Sequence, residues 1–225
     1  MIKKEEIMNF IRLQFGGLSP FFYLALGFGA YSAALSTIYF GGDIFAILTR
    51  VLGIIYIFFV GAKRAIGFVF GLIWCFTYMQ YGNNILVISY IPINLFGIYT
   101  WIKIQKSRNG EVEIRNLSGN SFTLWLLASL VSSAIYGYFI HSLDSFMGFL
   151  AAFTIMGQIF AFYLQAQRYR QNYLLFTIVN STYFGMWIYS SLNGHINFMP
   201  LFMIIATLIL GIFFYFYWAK QKETL

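Results

Sequence analysis

The chain has 225 residues, of which 60% are hydrophobic, 22% aromatic and only 9% charged, with a formal net charge of +7. A soluble domain carries roughly 25% charged residues, so this composition excludes a single water-soluble globular core and reads as an all-α integral membrane protein. One cysteine, Cys75, excludes an intrachain disulfide and a thiolate metal cluster. Two histidines, His141 and His195, complete an inventory that supplies no metal site and calls for no cofactor.

The N-terminal stretch MIKKEEIMNFIRLQF is charged and lacks a small-residue cleavage site, so it does not read as a signal peptide. Ile7, Phe10, Ile11 and Gln14 fall on one side of a helix and the charges on the other, which predicts a short interfacial helix within a cytoplasmic segment, residues 1–20. About 20 apolar residues cross a bilayer as a helix. On that ruler eight spans follow, at 22–41, 44–61, 65–82, 84–103, 122–141, 145–166, 173–192 and 197–219.

The connections alternate. One set holds Lys3, Lys4 and Arg12, then Lys63 and Arg64, then Lys103, Lys106, Arg108 and Arg115, then Arg168 and Arg170, then Lys220 and Lys222. These are 13 of the 14 basic residues. The other set, GGD (41–43), GNN (82–84), HSLD (141–144) and NGHIN (193–197), has no Lys or Arg. The positive-inside rule therefore predicts a multi-pass protein of the cell (inner) membrane with both termini cytoplasmic. The positive charge is a topology signal, and no basic stripe remains for nucleic acid. The fourteenth, Arg50, lies seven residues into the second span. An ionisable group there either snorkels to the outer interface or pairs with Asp43.

The spans repeat. Spans two to four and six to eight each open after an acidic residue, Asp43 and Asp144. Each has a basic turn after its first helix, AKRAIG (62–67) and AQRYRQN (166–172). Each third helix carries a proline, Pro92 or Pro200, then glycine followed by aromatics, GIYTW (97–101) and GIFFY (211–215). A single span separates the triplets, so both run in the same direction. One extra N-terminal helix plus a 3+1+3 parallel repeat is a SWEET-like plan, in which substrate lies between the halves near the midplane. The organisation expected is an extra helix at 21–41, a first repeat at 42–104, a cytoplasmic loop and linker helix at 105–143, a second repeat at 144–220 and a tail at 221–225.

The residues at this point resemble the PnuC family of vitamin transporters, the nicotinamide riboside carriers and their relatives. Tyr90, Gly97 and Trp101 stand at the family's spacing in YIPINLFGIYTW. GQIFAFYLQAQR (157–168) is similar to the family's Gln-containing helix, and Asn180 and Tyr189 match the helix after it. The likeness covers roughly 43–219. Arg64, Val87 and Phe176 depart from it, standing where family members show Trp, Gln and Trp. The resemblance implies carriage of nicotinamide riboside, or of thiamine or another vitamin-sized nucleoside, by facilitated diffusion. It also implies functional coupling to a cytoplasmic kinase that traps the cargo.

Asn180, Tyr183, Phe184 and Trp187 follow i, i+3, i+4, i+7 spacing and share a helix face, which Phe176 extends by a turn. An amide that donates and accepts, a phenol and stacked rings suit a flat heteroaromatic cation bearing a sugar, with cation–π attraction of about 0.5–2 kcal/mol. Thr154 and Gln158 share a face of the sixth span. In the first half the matching faces hold Trp74, Thr77, Tyr78 and Tyr81, then Tyr90, Asn94 and Trp101. The competing reading of all these polar residues is helix packing, which Ser181 and Thr182, and the small pair Gly67 and Gly71, fit best. Tyr189 also fits the outer aromatic belt. Pro92 and Pro200 are the expected hinges.

No acidic residue lies inside a span, which argues for uncoupled flux and against an enzyme. Two other classes stay open: a membrane enzyme using His141, His195 and Asp144, and a non-transporting assembly protein. A homo-oligomer is compatible with the composition.

Overall fold

The computed structural model describes residues 4–81, 84–107, 112–139, 146–194 and 201–220. Lys3, Gly82, Asn83, Arg108, His141, Asp144, His195, Pro200 and Lys222 lie outside the described residues, as do the side chains of Ile7 and Tyr81. The chain divides into two compact units, Met1–Val112 and Glu113–Leu225.

The first unit contains α1 (Lys4–Phe15), α2 (Pro20–Tyr39), α3 (Ile44–Gly61), α4 (Ile66–Tyr78) with a 3-10 turn Met79–Tyr81, and α5 (Asn84–Ser107). Local chemistry sets the starts. Ser19 Oγ accepts from Phe22 N at 3.2 Å with Pro20 in the first turn, and Asp43 Oδ1 accepts from Ala46 N at 2.7 Å. These are N-caps that satisfy backbone donors a helix leaves open. α2 packs on α3, α3 on α4 and α4 on α5. Phe21, Leu24, Phe28 and Tyr31 of α2 stay exposed, as a lipid-covered face requires.

The second unit contains α6 (Gly119–Phe139), α7 (Phe146–Ala166), α8 (Gln171–Leu192) and α9 (Leu201–Lys220). α6 packs on α7, α7 on α8 and α8 on α9. Its core gathers Phe153, Ala161, Leu164, Leu175 and Val179, with Trp125 and Phe176 packed against them.

Among the described residues six helices are long and apolar enough to cross a membrane: α2, α3, α5, α6, α7 and α9. α4 is shorter than the expected 65–82 span. Its 13 residues rise about 20 Å at 1.5 Å each, and the 3-10 turn extends it. α8 is long enough at 22 residues, but Asn172, Asn180, Ser181 and Thr182 make it more polar.

The basic turns repeat in geometry as well as composition. Lys63 (φ 62°) and Arg168 (φ 68°) are both left-handed. Arg64 N donates to Phe59 O at 2.8 Å and Lys63 N to Val60 O at 2.9 Å. Tyr169 N donates to Leu164 O and Arg168 N to Gln165 O, both at 2.9 Å. Both are Schellman ends, with a cation in the slot that usually takes glycine. One turn into the next helix, Phe68 meets Trp101 edge-on (5.0 Å, 77°) and Tyr173 meets Trp218 edge-on (4.9 Å, 87°). The structural partner of Trp101 is therefore Trp218, a register beyond the GIFFY run that sequence comparison pairs with GIYTW.

Candidate functional site

In the first unit the sequence-predicted residues meet. Trp74 stacks on Tyr78 of the same α4 face (4.8 Å, 17°) and tilts against Tyr90 of α5 (5.5 Å, 32°). Tyr90 is 1% exposed and Asn94 2%. Asn94 Nδ2 donates to Tyr90 O at 2.9 Å and points at Cys75 Sγ at 4.0 Å. Asn94 Oδ1 is buried with no hydrogen-bond partner among the described residues. It lies against Gly71, where a Cβ would collide with it and with the Tyr56 ring. Gly97 serves the same seam, since a Cβ there would stand 2.6 Å from the Phe68 ring. α5 runs unbroken through Pro92.

In the second unit the α8 stripe divides. Phe176 turns inward, edge-on to Phe162 of α7 at 4.9 Å and against the core. Asn180, Phe184 and Trp187 are half-buried, Tyr183 is 39% exposed, and the Phe184 and Trp187 rings lie parallel at 6.2 Å. Asn180 makes no hydrogen bond among the described residues, whereas Thr182 Oγ1 donates to Ile178 O at 3.1 Å and Thr177 Oγ1 to Tyr173 O at 2.8 Å. Ser181 is exposed and so is Tyr189. On α7, Thr154 is 8% exposed with its hydroxyl donated to Ala151 O at 2.8 Å, and Gln158 is half-buried.

The repeated turns expose residues that sequence reasoning missed. Counted from the left-handed residue of each turn, Thr49 takes the place of Thr154, Cys75 that of Asn180, and Tyr78 that of Tyr183. Thr49 is 7% exposed and its Oγ1 is buried with no hydrogen-bond partner among the described residues. The repeat, aligned through Lys63 and Arg168, would have found it.

At the basic end of the first unit, Gln14 is fully buried. Its Nε2 donates to Gln105 Oε1 and its Oε1 accepts from Ile66 N, both at 2.9 Å. Gln105 Nε2 reaches Lys63 O at 3.2 Å, and Arg64 donates to Leu13 O at 2.6 Å and Gly16 O at 2.7 Å. The Arg64 cation thus holds the C-terminal carbonyls of α1, the end a helix dipole makes negative. α1 is tied to the α3–α4 turn as well as amphipathic.

Among the described residues no group of three His, Cys, Asp or Glu could hold a metal. A family model described as nicotinamide mononucleotide transporter matches residues 43–220. A nicotinamide riboside transporter PnuC of Neisseria mucosa is 27% identical, aligned over 78% of this chain and 72% of that protein. The crystal structure of the vitamin B3 transporter PnuC matches with a TM-score of 0.73 at 25% identity, covering 95% of this chain and 97% of that one. Both relatives are named as transporters. The chain is a helical membrane protein and belongs to the nicotinamide mononucleotide transporter family.

Proposed function

We propose that the chain carries nicotinamide riboside across the cell membrane by facilitated diffusion. The observation that carries this reading is the α8 stripe. Asn180 is half-buried without a hydrogen bond among the described residues, beside the parallel rings of Phe184 and Trp187. A free amide next to aromatic faces fits a pyridinium ring bearing a carboxamide and a ribose. The relative named as a riboside transporter supports the same cargo. Tyr183 on α8 and Gln158 and Thr154 on α7 are the further contacts we assign within the second unit, with Phe176 shaping the α8 face from behind; within the first unit we assign a substrate-contacting role to Trp74, Tyr78, Tyr90 and Asn94.

No Asp or Glu lies within α2 to α9. The carrier then equilibrates its cargo, and net uptake comes from phosphorylation inside the cell by a separate enzyme. The reading includes eight spans, cytoplasmic termini at the basic end, and a parallel repeat in which α2 and α6 each precede a triplet. Thiamine is the second cargo to consider, because Phe176 packs on Phe162 at a position where riboside carriers of the family show Trp. Tryptophan fluorescence titration with nicotinamide riboside, nicotinamide mononucleotide and thiamine tests the choice. The riboside is expected to quench saturably at the lowest concentration. A tighter thiamine isotherm would replace it.

A further inference from the structure

Threonine hydroxyls in this chain follow one habit, with one exception. Nine threonines lie among the described residues, and eight donate Oγ1 to a backbone carbonyl three or four positions back in their own helix. That is how a hydroxyl is ordinarily satisfied on a membrane helix. Thr49 is the ninth. It is 7% exposed, and its Oγ1 is buried without a hydrogen-bond partner among the described residues. A buried hydroxyl left unpaired is costly, so Thr49 calls for a partner beyond its own helix.

The direction it faces follows from its neighbours on α3. Ile54 and Phe58 are the α3 side chains that meet Gly29 of α2. At 3.6 residues per turn Thr49 lies about 140° and about 180° around the helix from them. Tyr56, seven residues on, falls within about 20° of Thr49. The Tyr56 ring meets Phe68 of α4 edge-on (6.0 Å, 78°) and would stand 2.8 Å from a Cβ at Gly71 of α4. Thr49 is therefore on the α3 face turned to α4. The two helices run antiparallel through a short turn. Two turns beyond the Tyr56–Gly71 contact, about 10 Å along the pair, come Thr49 on α3 and Tyr78 on α4. Tyr78 stacks on Trp74, which tilts against Tyr90. The unpaired hydroxyl thus stands at the level of the ring wall assigned to the cargo in the first unit.

Thr154 holds the same register in α7 and differs in one respect, since its hydroxyl is donated to Ala151 O at 2.8 Å. The Thr49 hydroxyl keeps its donor and both acceptor positions. A sugar hydroxyl offers the same set, so the two can pair in either direction beside rings that cover a flat heterocycle.

We propose that Thr49 is a specificity-determining residue of the carrier, its Oγ1 hydrogen-bonding a ribose hydroxyl of the cargo within the first unit. The proposal rests on the riboside reading and deepens it by assigning the sugar to α3. A site built to pair with a hydroxyl discriminates against an analogue that lacks it.

The test titrates the full chain, Thr49→Val and Thr49→Ser with nicotinamide riboside and with its 2′-, 3′- and 5′-deoxy analogues, alongside thermal unfolding without ligand. One deoxy analogue should bind the unaltered chain at least about fivefold more weakly than the riboside. Thr49→Val should bind the riboside as weakly as that analogue and no longer tell the two apart, and Thr49→Ser should restore the preference. The unliganded midpoint of Thr49→Val should hold or rise, because a methyl replaces a buried hydroxyl that has no partner. A fall of more than about 2 °C would show that the hydroxyl serves the fold, through an internal bond or an ordered water, and would overturn the proposal. Riboside affinity that valine leaves unchanged would also overturn it, as would a preference over every deoxy analogue that valine leaves intact. Should the branched valine fail to pack, Thr49→Ala makes the same comparison of cargoes. Failure of the unaltered chain to bind the riboside would overturn the cargo reading and this proposal together, whereas riboside binding that valine does not weaken overturns Thr49 alone.

Discussion

Replacing Asn180 with leucine separates ligand contact from helix packing. The substitution keeps a side chain branched at Cγ, somewhat larger than the amide, and removes the amide's donor and acceptor. Asn180 makes no hydrogen bond among the described residues, so folding loses little, and a half-buried apolar side chain on a membrane helix is well tolerated. Binding loses more. A hydrogen bond contributes about 0.5–1.5 kcal/mol net, and a cargo group left unpaired in the site adds about 1–3 kcal/mol. A loss near 1.4 kcal/mol is the smallest consistent with a direct contact, and it raises Kd about tenfold. Thermal unfolding without ligand should move by less than about 2 °C. Titration of tryptophan fluorescence with nicotinamide riboside measures the rest, since Trp187 lies a turn or two along the same face. An unchanged isotherm would remove Asn180 from the site. A normal isotherm with lost stability would assign it to packing.

Arg64→Ala removes two donors to Leu13 O and Gly16 O. Bonds from a charged donor contribute about 1.5–3 kcal/mol each, so α1 should come loose and tryptic cleavage after Arg12 should accelerate at least tenfold. Unchanged protection would refute the tie. Lys63→Gly relieves a left-handed backbone, a strain of about 1–2 kcal/mol partly offset by glycine's entropy. It should raise the unfolding midpoint slightly, and a fall would contradict the strain. Gly97→Ala brings a Cβ to 2.6 Å from the Phe68 ring. Such overpacking costs about 1–3 kcal/mol, which Phe68→Leu in the same chain should partly restore. Independent additive losses would argue against that contact.

Much of the fold is legible in the sequence because membrane helices announce themselves locally. Ser19 and Pro20 mark one start, Asp43 another, and basic turns mark the ends. The α3–α4 and α7–α8 turns are less legible, since their left-handed positions hold Lys63 and Arg168 where a reader looks for glycine. Gln14 stands on the apolar side of α1 and reads as part of an anchor. Its partners Ile66 and Gln105 are distant in sequence and no periodicity links them. Arg64 reads as a departure from the family pattern, and the structure gives it a neighbour that pattern alone could not supply. The first-unit cluster of Trp74, Tyr78, Tyr90 and Asn94 was readable from helical spacing because its residues lie on two adjacent helices. Phe176 shares the spacing of the α8 stripe yet turns into the core, since an aromatic ring looks the same in sequence whether it faces cargo or a neighbouring helix. Thr49 was hidden because the repeat's alignment through glycine ran out of register, while the backbone turns keep it.

Flux into liposomes holding only the purified chain bears most directly on the account. Radiolabelled nicotinamide riboside should enter saturably, compete with unlabelled riboside, and stop when inside and outside concentrations are equal. A kinase and ATP sealed inside should then lift accumulation above that level. Entry no faster than in protein-free liposomes, with folded protein present, would contradict the riboside as cargo. Accumulation above equality driven by a proton or sodium gradient alone would contradict facilitated diffusion.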